Sequence, residues 1–393
     1  MTQSRSVRPF YRPMRPHRRD EPHRTATPLE LFFDLCFVVA VAQAAGNLHH
    51  AVSEDQIGHA LAGYLMVFFA IWWSWMNFTW FASAYDTDDD LYRITTLVQI
   101  AGALIIAAGV PSAFTDGDFR VITYGYVVMR LAAVVQWSRA AIGDPAHRAA
   151  ASRYAIGVTV VQLGWLLRLL LPAEWGMAAF VLLVLADLAV PAVAERPGMT
   201  PWHPAHITER YGLFTLIVLG EAVGAVSLAI QDGLDAGEHD LWSLAAAGAV
   251  IVFALWWLYF DRPNKAPDRQ PYSLIWGYGH YLIFAAVAAA GAGLSVSVDY
   301  ERHLAHISER TAGYAVAVPV AVFLLTVWVL HVRRQQHGVV VVAFPVVALL
   351  ALLAPLGPAP VYAVAALLVA LVALTVVMRS RDVAPDATVA EPA

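Results

Sequence analysis

Glu30 and Asp34 stand one helical turn apart at the start of the first long apolar stretch, TPLELFFDLCFVVAVAQ, and so share one face of a helix. Glu209 and Arg210 open a later stretch, HITERYGLFTLIVLGEAV, in which Glu221 follows Arg210 by about three turns and projects from the same side. Arg130 and Asp187 fall near the middle of two further apolar stretches. An ionisable group at the centre of a membrane span costs about 2.5–3.5 kcal/mol, so such groups persist where they pair or line a watery path. Two chemistries follow. Asp34 and Glu221 are candidates for proton exchange, and Arg210 and Arg130 for holding an anionic group or a carboxylate. Arg130 and Asp187 can equally be an ion pair that locks two helices. Glu30, Asn77, Gln99, Glu209, Asp261 and His280 add polar groups that, with Asp34 and Arg210, are expected at one depth. A layer of that kind would suit a small solute.

The elements that must carry these residues are transmembrane helices. Hydrophobic residues make up 59% of the 393 positions and charged residues 14%, against about 45–50% and about 25% in a globular domain. The excess is gathered into runs of the roughly 20 residues that cross a hydrocarbon core. Such runs occur near 29–48, 58–81, 92–114, 119–139, 153–171, 175–194, 207–230, 241–260, 273–298, 312–331, 339–356 and 358–378. The expected fold is therefore all-α and polytopic, with about 12 spans. The last two runs, parted by Gly357-Pro358, are also readable as a re-entrant hairpin.

Charge gives an orientation. With both termini on one side, most of the 25 basic residues lie on that side, including Arg93, Arg139, Arg148, Arg153, Arg196, Arg262, Lys265, Arg269, Arg333, Arg334, Arg379 and Arg381. The opposite loops hold Arg120, Arg302 and Arg310 and are acidic at Ser53-Glu54-Asp55 and from Asp232 to Asp240. By the positive-inside rule both termini are cytoplasmic, in a bacterial cytoplasmic membrane. The arginine-rich segment 1–27 and the segment 379–393 are expected to be disordered tails, the first able to touch anionic lipid.

The order of polar residues and tryptophans also suggests an internal repeat. Glu30, then Trp72-Trp73, then Asn77, then Gln99 before IAGALIIAAG is matched by Glu209, Trp256-Trp257, Asp261 and His280 before YLIFAAVAAAG. Six spans separate the copies, so 28–195 and 196–378 would be parallel six-helix repeats about an axis along the membrane normal. Tryptophan pairs are also ordinary interfacial anchors.

Several classes are unsupported. Lys265 is the one lysine and follows Asn264, which does not make a phosphate-binding Gly-Lys-[Ser/Thr] loop. Cys36 is the one cysteine, so no disulfide framework exists. The net charge of −5 gives no reason for a nucleic-acid partner. Asp86, Asp88 and Asp89 could offer oxygens to a hard cation, but they lack EF-hand spacing, and aspartate before a helix also caps its amides. His49-His50 with His59, and His203 with His206, are weak zinc candidates without a partnering cysteine. No catalytic constellation can be placed, and no cofactor is implied.

Three pieces in order, TPLELFFDLCFVVAVAQ, WWSWMNFTWFASAYDTDD and HITERYGLFTLIVLGEAV, resemble the bacterial low-temperature-requirement A family of membrane proteins. The resemblance runs from about Thr27 to the end of the ninth span. Its acidic positions are met by Glu30 and Asp34, by Asp86, Asp88 and Asp89 after Tyr85, and by Glu209, Arg210 and Glu221. Cys36 replaces a small aliphatic residue. The resemblance implies a membrane protein and no particular reaction, but it raises the weight of the Asp86–Asp89 box.

The expectation is thus a proton-coupled secondary transporter or permease for a small solute, its partners being the bilayer and that solute. The alternatives are a channel, a sensor, a structural protein of the envelope, or a membrane-embedded enzyme acting on lipid.

Overall fold

A computed structural model describes residues 9–18, 21, 24–236, 239–261, 265–333 and 338–383. Among the described residues there are twelve α-helices and no strand. They are α1 (Pro28–Ser53), α2 (Ile57–Tyr85), α3 (Asp90–Thr115), α4 (Arg120–Gly143), α5 (Arg148–Arg168) and α6 (Ala173–Ala194), then α7 (Pro204–Ala236), α8 (His239–Phe260), α9 (Tyr272–Glu301), α10 (Glu309–Val327), α11 (Val339–Leu353) and α12 (Pro360–Val383). A π-helical turn, Trp328–Val332, continues α10. Ten of the twelve are long and apolar enough to span a membrane. The other two, α4 and α5, match expected spans and are more polar because they carry Arg130, Arg139, Arg148, Arg153 and Arg168. Val339–Leu356 and Pro360–Arg381 each have the length to cross separately. The protein is an all-α polytopic membrane protein.

Local chemistry sets the helix starts. Thr27 and Glu30 form a reciprocal cap on α1: the Thr27 amide donates to Glu30 Oε2 at 2.7 Å and the Glu30 amide to Thr27 Oγ1 at 3.3 Å. Asp89 caps α3 by accepting from the Tyr92 amide at 2.7 Å, and Ser308 caps α10 through the Thr311 amide at 3.2 Å.

The chain divides into two compact units, one of residues 1–47 and 61–214, the other of 48–60 and 215–393. The boundary passes through α7 after Phe214, and the start of α7 belongs with α3–α6 and with most of α1 and α2. In the first unit, α3 and α4 approach through Gly102 and Gly125, where a Cβ on Gly125 would sit 2.7 Å from the Gly102 carbonyl oxygen. Neither backbone can retreat cheaply in a packed helix pair. Gly125→Ala is expected to lower stability by about 1–3 kcal/mol, whereas Gly46→Ala, which meets open space, should be neutral. Thermal unfolding in detergent checks both. In the second unit α9 and α10 meet with Gly293 against the Ala315 backbone, and Gly313 lies against Pro360.

The tryptophan pairs that suggested a repeat are not packed alike. Trp72 and Trp73 are buried, whereas Trp256 and Trp257 are largely exposed.

The N-terminal segment departs from the expected disorder wherever it is described. Leu91 and Asp90 amides reach the Phe10 and Pro9 carbonyls, and the His17 amide donates to the Ala84 carbonyl at 2.9 Å. The Arg12 amide donates to Asp89 Oδ2 at 2.7 Å. Met14 is fully buried and lies against Gly143. The physical reason is that the end of α2 leaves a carbonyl open and the start of α3 leaves amides open, and this segment satisfies both. Residues 1–8, 19, 20, 22, 23 and 384–393, Arg262, Arg334 and the side chains from Asp232 to Asp240 lie outside the described residues.

Candidate functional site

The strongest concentration of chemistry lies in the first unit, where α1, α2 and the start of α7 meet. Arg210 is fully buried. Its Nε and Nη2 donate to Asp34 Oδ2 and Oδ1 at 2.9 and 2.6 Å, a bidentate pair. Its Nη1 is 2.9 Å from Glu30 Oε1. Nη2 also points at Thr79 Oγ1, 3.4 Å away. Trp75 Nε1 donates to Asp34 Oδ1 at 2.6 Å, and His206 Nε2 is 3.3 Å from Glu30 Oε1. Glu30, Asp34, His206 and Arg210 are each at most 1% exposed. Their walls are aromatic: Phe78 faces the guanidinium, Phe33 stacks on Phe78, and Trp75 stacks on Phe214.

The charges do not balance. Two carboxylates face one guanidinium, so with His206 neutral the cluster carries one net negative charge in a medium where a bare charge is costly. It also holds unfilled polar capacity: His206 Nδ1 and the Tyr92 hydroxyl are buried without a hydrogen-bond partner. The arrangement can take up one proton, and protonating Asp34 would loosen two charge-assisted bonds to Arg210 at once.

Asp86, in the loop after α2, extends this electrostatic group outside the spans. Burial, and then the negative Glu30, push its carboxyl from 3.8 up to about 7, with Arg24 opposing. Between about pH 4 and 7 the folded chain keeps a proton that the unfolded chain has released, so Asp86 makes stability fall as pH rises through that window. Asp86→Asn is expected to flatten this slope. Unfolding midpoints measured from pH 4 to 7.5 test it, and an unchanged slope in the variant contradicts the assignment.

Other expected members of the layer lie in separate settings. Asn77 donates to the Trp73 carbonyl of its own helix at 2.7 Å. Gln99 donates to Gln136 Oε1 at 2.8 Å, and Gln136 to Thr95. Glu209 is half-buried and accepts from the Ala26 amide at 3.3 Å. Arg130 pairs with Asp187 at 2.5 Å, and Tyr126 and Trp165 each donate to the other Asp187 oxygen at 2.8 Å. In the second unit Asp261 pairs with Arg379 at 2.6 Å, and His280 is buried against Tyr259 and Trp276. Glu221 is half-buried and has no ion-pair or hydrogen-bond partner among the described residues.

The aspartate box does not converge on a cation. Asp88 pairs with Arg93 at 2.7 Å, Asp89 with Arg139 at 2.5 Å while capping α3, and Asp86 accepts from the Asp88 amide at 3.0 Å. Asp88 and Asp89 are thus each paired with a different arginine, while Asp86 turns back on its own loop. Of the zinc candidates, His203 Nδ1 accepts the His206 amide at 3.3 Å, and His49 bonds Asp299 at 2.6 Å. Among the described residues no three His, Cys, Asp or Glu side chains could hold a metal together.

Sequence reasoning missed His206, Trp75, Thr79 and Tyr92 as neighbours of the cluster. His206 had a signal, since it precedes Arg210 by one turn on the same face; the others had none.

The family model for the bacterial low temperature requirement A protein matches residues 25–378. The chain is also similar to an uncharacterized protein of Rhizobium meliloti (strain 1021), 26% identical over 296 residues that cover 69% of this chain and 70% of that protein.

Proposed function

The chain belongs to the bacterial low temperature requirement A family, and we propose that it is a proton-coupled secondary transporter for a small anionic solute. The observation that carries this reading is the sharing of the buried Arg210 by Asp34 and Glu30 inside membrane helices. On this reading Asp34 is the proton-exchanging group. Protonation releases the Nε and Nη2 donors of Arg210, which then bind the solute's anionic group; deprotonation on the other side returns Asp34 to the guanidinium and expels the solute. Glu30 and His206 keep Arg210 oriented through the exchange.

Glu221, unpaired and half-buried, is the second exchange group, in the other unit. A structural role is favoured for Arg130 and Asp187, because every Asp187 oxygen is already satisfied. The distribution of arginine supports a cytoplasmic membrane with both termini inside, and the doubled order of polar residues supports descent from a six-helix repeat.

The test is reconstitution of the full chain into liposomes loaded with a pH dye. Pools of small carboxylates, phosphates, sulfonates and amino acids are added outside under an imposed pH gradient. At least one pool should produce a saturable proton flux that protein-free liposomes lack. Silence from every pool, with the protein verified as folded and inserted, removes the transporter reading.

A further inference from the structure

In the second unit three rings converge that the transport reading does not use. Tyr259 comes from the end of α8, His280 from the first turns of α9, and His331 from the π-helical turn that continues α10. The ring centres of His280 and His331 are 5.3 Å apart, those of Tyr259 and His331 5.4 Å, and those of Tyr259 and His280 6.0 Å. All three side chains are buried.

The proton positions on His280 are fixed by its partners. Nδ1 lies 2.7 Å from the Trp276 carbonyl, which can only accept, so Nδ1 carries the hydrogen. Nε2 therefore presents a lone pair and accepts from the Tyr259 hydroxyl at 3.1 Å. A backbone carbonyl behind the far nitrogen is the arrangement that orients metal-binding imidazoles. His331 supplies an independent sign: its Nε2 is buried without a hydrogen-bond partner. It is placed by a π turn, an irregularity that occurs frequently at functional sites.

We infer that Tyr259, His280 and His331 form a binding site for a divalent transition-metal ion of the copper–zinc class. The spacing agrees. Two ligand atoms about 2.0 Å from one ion at a tetrahedral angle lie roughly 3.3 Å apart, and two imidazoles on one ion hold their ring centres roughly 5 Å apart. Two imidazoles with one phenolate oxygen suit copper(II) or zinc(II) rather than magnesium or calcium. Binding replaces the Tyr259 hydroxyl proton: the O–H bond breaks, an oxygen–metal bond forms, and the proton leaves to water with no change of oxidation state. Tyr259 and His331 stand near helix ends, two residues from Asp261 and Arg333 respectively.

The experiment uses the full chain purified without a histidine tag. Cu2+ is added and excess removed by desalting, and metal content and visible absorption are measured. Wild type should retain one copper per chain and show a phenolate-to-copper charge-transfer band. Tyr259→Phe should lose the band and bind at least tenfold more weakly, and His331→Gln should lose stoichiometric binding. A His49→Gln control should behave as wild type. Failure of wild type to retain copper, or retention and a band unchanged in both Tyr259→Phe and His331→Gln, overturns the assignment. Should a variant fail to fold, wild type alone decides it: Zn2+ must raise the unfolding midpoint in a concentration-dependent way, and no rise overturns it. None of these readouts depends on transport.

Discussion

Replacing Arg210 with methionine is expected to cost the protein about 3–5 kcal/mol of stability, because it strands Glu30 and Asp34 together in the interior. Both carboxylates are at most 1% exposed, and besides Arg210 they are met by Trp75, His206 and the Thr27 amide. A buried pair broken on one side loses far more than its net worth, since the remaining charge has no water to return to. The triple variant Glu30→Gln, Asp34→Asn, Arg210→Met should recover most of the loss by removing charge on both sides. Chemical or thermal unfolding in detergent measures each. The triple variant should nevertheless be inactive in liposomes, which separates the cluster's contribution to folding from its use in transport.

The second large effect concerns the other buried pair and predicts the opposite division. Asp187→Ala leaves Arg130 uncompensated and takes the acceptor from Tyr126 and Trp165. We expect a loss of about 3–5 kcal/mol here too. The double variant Arg130→Met, Asp187→Leu should regain stability and retain proton flux, because this pair holds α4 and α6 together with the Trp165 end of α5 and exchanges nothing. A stable double variant that has lost all flux would move Arg130 and Asp187 into the transport path.

What could be read from the sequence follows from the range of the forces involved. Spans are legible because crossing a hydrocarbon core requires a contiguous apolar run, and α4 was found despite Arg130 and Arg139 within it. Glu30, Asp34 and Arg210 stood out for the same reason, as charges where charge is expensive. Their mutual pairing did not, since residues 34 and 210 are joined by packing and no local period links them. His206 lay one turn from Arg210 and was readable in principle. The N-terminal segment misled because arginine and proline describe a chain that cannot build its own core, whereas Met14 and Arg12 are ordered by bonds supplied from α2, α3 and α4. In the aspartate box, Asp88 pairs with Arg93, Asp89 caps α3 and pairs with Arg139, and Asp86 accepts the Asp88 amide; sequence could not choose between such roles and a cation.

The most direct test of the central claim is the proton flux of Asp34→Asn in liposomes, using whichever solute pool moves protons with wild type. Asparagine keeps the size of the side chain and an acceptor for Arg210 and Trp75 but cannot carry the exchanged proton. The account predicts that the variant inserts and folds, and that its solute-dependent proton flux falls to the level of protein-free liposomes. A flux equal to wild type would show that Asp34 exchanges no proton, and its pair with Arg210 would then be a structural lock like that of Arg130 and Asp187.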